Sequence, residues 1–190
     1  MRLEEYLKQN PKKIIIFDLD LTLIELVVPW EKAISQADQY FKSLDPVMAE
    51  TCMSEGYTGY NKFITKHGPE VKQRLDSIYN QVEVNNLEKA IPNKELIDFI
   101  ISHNQYRYYL WSNNQKTTVE KVLKENNIYK YFEKIISATD DKFFKPDAGG
   151  FNKIFDPKTE NKSDFLMVGD SNDDKMAAYN AGIDYLHCSI

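Results

Sequence analysis

Short apolar runs lie at residues 13–17 (KIIIF), 106–111 (YRYYLW), 134–137 (KIIS) and 164–168 (DFLMV), with a weaker one at 185–187. Each has the length of a strand, and several are rich in β-branched or aromatic residues. Between the later runs the spacing changes to that of a helix. Residues 93–103 place Leu96, Ile97, Ile100 and Ile101 on one face, and residues 115–126 do the same with Val119, Val122 and Leu123. Residues 147–155 and 173–181 read as helices too, the second closed by Gly182. Strands that alternate with helices restrict the chain to an α/β fold with a parallel sheet covered on both faces.

One segment interrupts the alternation. From about residue 29 to 91 no convincing strand is visible, while WEKAISQADQYFKSL, YNKFITKHG and PEVKQRLDSIYNQ all have helical character. Pro46, Gly56, Gly59 and Gly68 punctuate them. The pattern predicts a helical insertion at 29–91, placed after the first strand, within a body made of 1–28 and 92–190.

Ligands of open α/β sheets bind at the carboxyl ends of the strands, so the residues just past each run carry the functional signal. The first run is followed by Asp18-Leu19-Asp20-Leu21-Thr22 and the second by Ser112-Asn113-Asn114. The loop after the third holds Lys145-Pro146, and the fourth leads into Gly169-Asp170-Ser171-Asn172-Asp173-Asp174. Taken singly, each is ordinary turn or cap chemistry. Together they bring several carboxylates, a hydroxyl and an ammonium to one rim. That inventory suits a hard cation such as Mg²⁺ beside a phosphate group. Two aspartates two residues apart would repel each other unless a cation, a shared proton or water relieved them.

Composition narrows the class. A chain of 190 residues with 42% hydrophobic and 28% charged residues is a globular protein of one domain, with room for a small insertion. A net charge of −5 offers nothing to nucleic acid or to an acidic membrane, and no apolar run is long enough to span a bilayer. The charged N-terminus has no apolar signal core. Cys52 and Cys188 are far apart, without zinc-ligand spacing. Both features fit a reducing cytoplasm.

The four motifs, FDLDLT, WSN, KPD and GDSNDDKMAAYNAG, resemble those of the haloacid dehalogenase superfamily, nearest to its phosphoglycolate phosphatase-like group, and they span Phe17 to Gly182. The resemblance implies a Rossmann-like three-layer core with an inserted helical cap. It implies a Mg²⁺-dependent phosphatase for a small phosphorylated metabolite. Asp18 would be the nucleophile that forms an aspartyl-phosphate, and Asp20 the general acid and base. Asp18, Asp170, Asp174 and the main-chain carbonyl of Asp20 would serve the metal, while Thr22, Ser112, Asn113 and Lys145 would bind phosphate.

Asp20 argues for phosphorus chemistry over dehalogenation within the family. Leu21 departs from the family, which commonly has Gly or Asn there. The apolar segment LIELVVPWEK stands where relatives carry a flexible flap. In a capped member the cap sets specificity, and Trp30, Lys66, His67 and Arg74 are the candidates for stacking or a second anion contact. A phosphomutase and a non-catalytic binding protein are the alternatives, and the chain is expected to act as a monomer or homodimer.

Overall fold

The computed structural model describes residues 2–190. Its centre is a five-stranded sheet in the order β5-β4-β1-β6-β7, with every neighbouring pair parallel. The strands are β1 (Ile14–Phe17), β4 (Arg107–Trp111), β5 (Phe132–Ile136), β6 (Phe165–Gly169) and β7 (Asp184–His187). β1 is buried along its whole length, as expected of the middle strand of a doubly covered sheet.

Successive side chains alternate between the faces, and two separate cores result. Ile15, Phe17, Leu110 and Val168 face helices α1 (Leu3–Gln9), α6 (Lys94–Ser102) and α7 (Lys116–Glu125). Ile14, Ile16, Trp111 and Met167 face α8 (Gly149–Ile154) and α9 (Asn172–Ala181). The arrangement is the parallel sheet covered on both faces that the alternation implies, and the three-layer, Rossmann-like core that the family resemblance implies. Phe17 pairs with Leu110 on one side and Val168 on the other. The carboxyl ends of β4, β1 and β6 are therefore level, and the loops that leave them share one rim.

The segment after β1 differs from expectation. Residues 24–27 form a strand, β2 (Ile24–Val27), which pairs antiparallel with β3 (Lys89–Pro92). The sequence pattern predicts no strand in 29–91, yet β3 begins inside that range. Its residues are largely exposed and include a proline, which a two-stranded ribbon tolerates because it is all edge. The ribbon carries the chain out of the sheet body and back, with Val27 opposite Lys89.

Between the two strands lie α2 (Trp30–Leu44), α3 (Pro46–Ser54), α4 (Tyr57–His67) and α5 (Pro69–Asn86). Ala33, Ala37 and Phe41 recur every four residues on α2 and meet Phe63 of α4 and Leu75 of α5 in a third core. The rings of Phe41 and Phe63 stack 3.9 Å apart. Burying each such ring stabilises the fold by about 1.5–3 kcal/mol. Ala138 and Phe144, from the loop after β5, complete this cluster, so the inserted helices share apolar surface with the sheet body. Polar anchors join them. The ammonium of Lys72 donates to the carbonyl of Ala138 at 2.8 Å and to Asp76 at 2.6 Å. Among the described residues no helix is long and apolar enough to cross a membrane.

Candidate active site

Asp18 continues the ladder beyond β1, its amide donating to the carbonyl of Val168. Leu19, fully buried, then anchors a tight turn, its carbonyl accepting from the amides of Thr22, Leu23 and Ile24. The turn separates the two aspartates. Asp18 is buried, and its Oδ1 lies 2.6 Å from Lys145 Nζ. Asp20 turns towards β2, where its carboxylate accepts from the Leu26 amide at 2.8 Å.

Carboxylate oxygens of Asp18, Asp170 and Asp174 lie within 4.8 Å of one another. Asp174 reaches that position from the first turn of α9. One of its oxygens accepts from the amide and hydroxyl of Ser171, which caps the same helix in return. The other accepts from Lys145 Nζ at 2.5 Å. Gly169 makes the approach possible, because a Cβ there would sit 2.5 Å from the Asp174 carboxyl carbon. Lys145 also donates to the Trp111 carbonyl at 2.9 Å. Burial pulls its pKa down, but Asp174 and Asp18 outweigh that and raise it, so it stays charged.

Burial lifts Asp18 to a pKa of about 7, and Asp174 adds to the rise while Lys145 opposes it. Burial also raises Asp20, to about 6, against the hydrogen bond from Leu26, and Asp170 rises for the same reason, with Asp174 contributing. A cluster of three carboxylates, two buried and one half-buried, with one ammonium has unspent affinity for positive charge. The donor set is all oxygen, so Asp18, Asp170 and Asp174 fit a hard divalent cation. Asp20 does not add its carboxylate to that cluster.

The remaining sequence candidates fall into two groups. Ser112, Asn113 and Lys145 line one cavity of about 350 Å³ with Asp18, Asp20 and Asp170. The Asn113 side chain clasps the backbone of Lys145, accepting from its amide at 2.8 Å and donating to its carbonyl at 3.2 Å. Trp30 borders the same cavity. Thr22 does not. It is fully buried and its hydroxyl donates to Asp170 at 3.2 Å, which makes it a support for that carboxylate.

Lys66, His67 and Arg74 are likewise absent from the cavity wall. Lys66 Nζ is bound to Asp45 at 2.6 Å, His67 stacks on Phe63, and Arg74 is exposed. The inserted helices instead present Ile34, Met53, Tyr57, Tyr60 and Tyr79. Nothing in the sequence singled these out, since the tyrosines come from two helices and are three among twelve.

A sheet that places a buried aspartate at the end of its central strand, and gathers a lysine and two further aspartates from neighbouring strand ends, defines a hydrolase of one particular lineage. Residues 15–188 match the family model of haloacid dehalogenase-like hydrolases, and the chain belongs to that family. The phosphoglycolate phosphatase of Vibrio cholerae serotype O1 is 25% identical over 184 residues, covering 90% of this chain and 81% of the relative. A haloacid dehalogenase-like family hydrolase from Streptococcus pneumoniae superposes with a TM-score of 0.58 at 20% identity, over 93% of this chain and 84% of that one. The L-2-haloacid dehalogenase of Xanthobacter autotrophicus does so with a TM-score of 0.57 at 12% identity, over 93% and 77%. The two structural likenesses speak for the fold alone.

Proposed function

We propose that the chain is a Mg²⁺-dependent phosphatase that hydrolyses a small phosphomonoester, with residues 29–91 as a cap over a catalytic core of 1–28 and 92–190. One observation carries this reading. A buried carboxylate at the end of the central strand, Asp18, sits in the acid and lysine cluster, while a second carboxylate, Asp20, faces the same cavity from outside it. The names of the Vibrio relatives support the same class of substrate.

Asp18, Asp170 and Asp174 would hold Mg²⁺, which when bound supplies charge neutralisation for an anionic substrate. Asp18 attacks phosphorus, a new oxygen–phosphorus bond forms, and the ester oxygen leaves. Asp20, protonated below its pKa of about 6, gives that oxygen its proton, so the leaving group departs as a neutral alcohol. The Asp20 carboxylate then takes a proton from water as the water attacks the aspartyl-phosphate, restoring Asp18 and releasing phosphate. Lys145, held between Asp18 and Asp174, offsets charge on the transferred group. Ser112 and the Asn113 amide supply hydrogen bonds to its oxygens.

The test is phosphate release from a panel of phosphomonoesters with and without Mg²⁺. Asp18→Asn is expected to lower turnover by about a thousandfold or more, and Asp20→Asn by roughly 10²–10⁴-fold on alkyl esters. Turnover that survives Asp18→Asn, or that ignores EDTA, rejects this mechanism.

A further inference from the structure

The cavity above the two aspartates has a character that phosphate hydrolysis does not require. The inserted helices line it with Trp30, Tyr57, Tyr60, Tyr79 and Ile34, and Leu21 joins them from the turn after β1. The rings are fixed by their neighbours. Tyr57 stands edge-on to Tyr60 at 5.6 Å and tilts over Phe144 at 4.9 Å, while Trp30 and Tyr79 are 6.4 Å apart. The hydroxyls of Tyr60 and Tyr79 bond to each other at 3.1 Å and both residues are buried, so they back the wall while half-buried Trp30 and Tyr57 present the open ring surface.

Charge points the same way. Among the described residues that line the cavity, Lys145 is the one cation, and it is already bound to Asp18, Asp174 and the Trp111 carbonyl. A carboxylate on the leaving group would find no free cation in the lining, only neutral donors such as the Tyr57 hydroxyl, beside Asp20, Asp170 and Asp173. Desolvating such a group without a cationic partner is costly, and like charges make it worse. A two-carbon acid would also leave much of the 350 Å³ unfilled, and an apolar wall gains nothing from the water left behind.

Leu21 is an independent observation. It adopts φ +57°, in the left-handed region where a bulky side chain is strained, and is 45% exposed at the cavity. Glycine or asparagine would fit that backbone without strain. A leucine there places an apolar side chain in the cavity lining next to Asp20.

Resting on the hydrolase reading, we propose that the substrate is a phosphomonoester whose alcohol is uncharged and carries a flat aromatic or heteroaromatic ring. The ring packs against Trp30 and Tyr57, which Tyr79 backs from behind, while the phosphate lies against Asp18 and Lys145. Leu21 and Tyr57 determine specificity, by excluding small carboxylated leaving groups and seating a ring.

Two measurements test it. In equilibrium binding to the full chain with Mg²⁺ present, benzylphosphonate is expected to bind at least tenfold tighter than phosphonoacetate; equal or reversed affinities overturn the proposal. In turnover, benzyl phosphate is expected to exceed 2-phosphoglycolate at least tenfold in kcat/KM, and a preference for phosphoglycolate likewise overturns it. These leaving groups are both unactivated alcohols, so intrinsic reactivity does not decide the comparison. Turnover of neither ester nor of any other phosphomonoester in the panel, with the binding preference intact, rejects the hydrolase reading and leaves the cavity assignment standing. Leu21→Gly and Tyr57→Leu are expected to shrink the benzylphosphonate preference by about fivefold and tenfold. A purely structural role would weaken both ligands alike and leave the ratio unchanged, which would remove these two residues from the assignment.

Discussion

The side chain of Asn61 and the backbone of Phe144 hold each other by two hydrogen bonds, Nδ2 to the carbonyl at 2.8 Å and the amide to Oδ1 at 3.0 Å. Asn61 belongs to α4 of the insertion, and Phe144 directly precedes Lys145. The pair therefore ties the inserted helices to the loop that positions the ammonium of the site. Asn61→Ala leaves both backbone groups without their partner, at a cost of about 1–3 kcal/mol. A fall in Tm of roughly 2–4 °C per kcal/mol is expected for a chain of this size. Asn61→Asp keeps the acceptor and loses the donor, so it should fall between. Thermal unfolding of the three proteins checks the order, and an Asn61→Ala protein as stable as the parent refutes it.

Gly169 is constrained by a neighbour more than by its own backbone. A methyl group at this position would lie 2.5–2.6 Å from the carboxyl carbon, Cβ and Oδ2 of Asp174. Gly169→Ala must push Asp174 away from Lys145 and from the other two carboxylates. The expected result is at least a tenfold loss of turnover, together with a rise of similar size in the Mg²⁺ concentration needed for half-maximal rate. A Mg²⁺ titration reads both, and an unchanged midpoint would mean that Asp174 has no part in holding the cation.

Leu19 and Leu21 occupy the same turn yet should respond very differently to truncation. Leu19 is fully buried and its carbonyl holds the turn together, so Leu19→Ala is expected to cost about 2–5 kcal/mol. Leu21→Gly loses some packing and adds unfolded-state entropy, but it relieves a left-handed conformation worth roughly 1–2 kcal/mol. These effects nearly cancel, and stability should stay within about 1 kcal/mol of the parent. Urea unfolding distinguishes the two variants. A large loss in Leu21→Gly would show that its side chain packs as a core residue.

Much of this arrangement was legible in the sequence, for identifiable reasons. The helix at Trp30–Leu44 could be read because Ala33, Ala37 and Phe41 fall on one stripe. The strand ends could be read because each holds its polar residues in a contiguous run. β3 could not, since an exposed strand has no apolar alternation to display. α3 was missed because only Ala49 and Cys52 are buried along it, too few to mark a face. Lys66 and His67 attracted attention for their charge, but Asp45 lies beside both, and a local partner of that kind cannot be inferred from sequence spacing alone. The aromatic wall was hidden because Tyr57, Tyr60 and Tyr79 converge only through packing of α4 against α5.

Glu83 gives the insertion a pH signature of its own. It is almost fully buried on α5, and both its oxygens accept from the amide of Gln115, at 3.2 and 3.1 Å, at the start of α7. A carboxylate is favoured at a helix N-terminus, but burial dominates and lifts its pKa from 4.5 to about 7, against hydrogen bonds from Thr118, Gln115 and Asn114. Between these two values the folded chain holds a proton that the unfolded chain has lost. Stability contributed at this position is therefore greatest below pH 4.5, falls as pH rises, and levels off above about 7. The full loss is on the order of 3 kcal/mol. Glu83→Gln keeps a carbonyl for the Gln115 amide and carries no charge at any pH. The variant should match the parent within about 1 kcal/mol at acid pH and become progressively the more stable of the two towards neutral pH. Asp18 and Asp20 titrate in overlapping ranges, so the quantity to follow is the difference in unfolding free energy between variant and parent. A difference that stays flat from pH 4.5 to 7.5 would mean that Glu83 ionises in the folded chain as readily as in water.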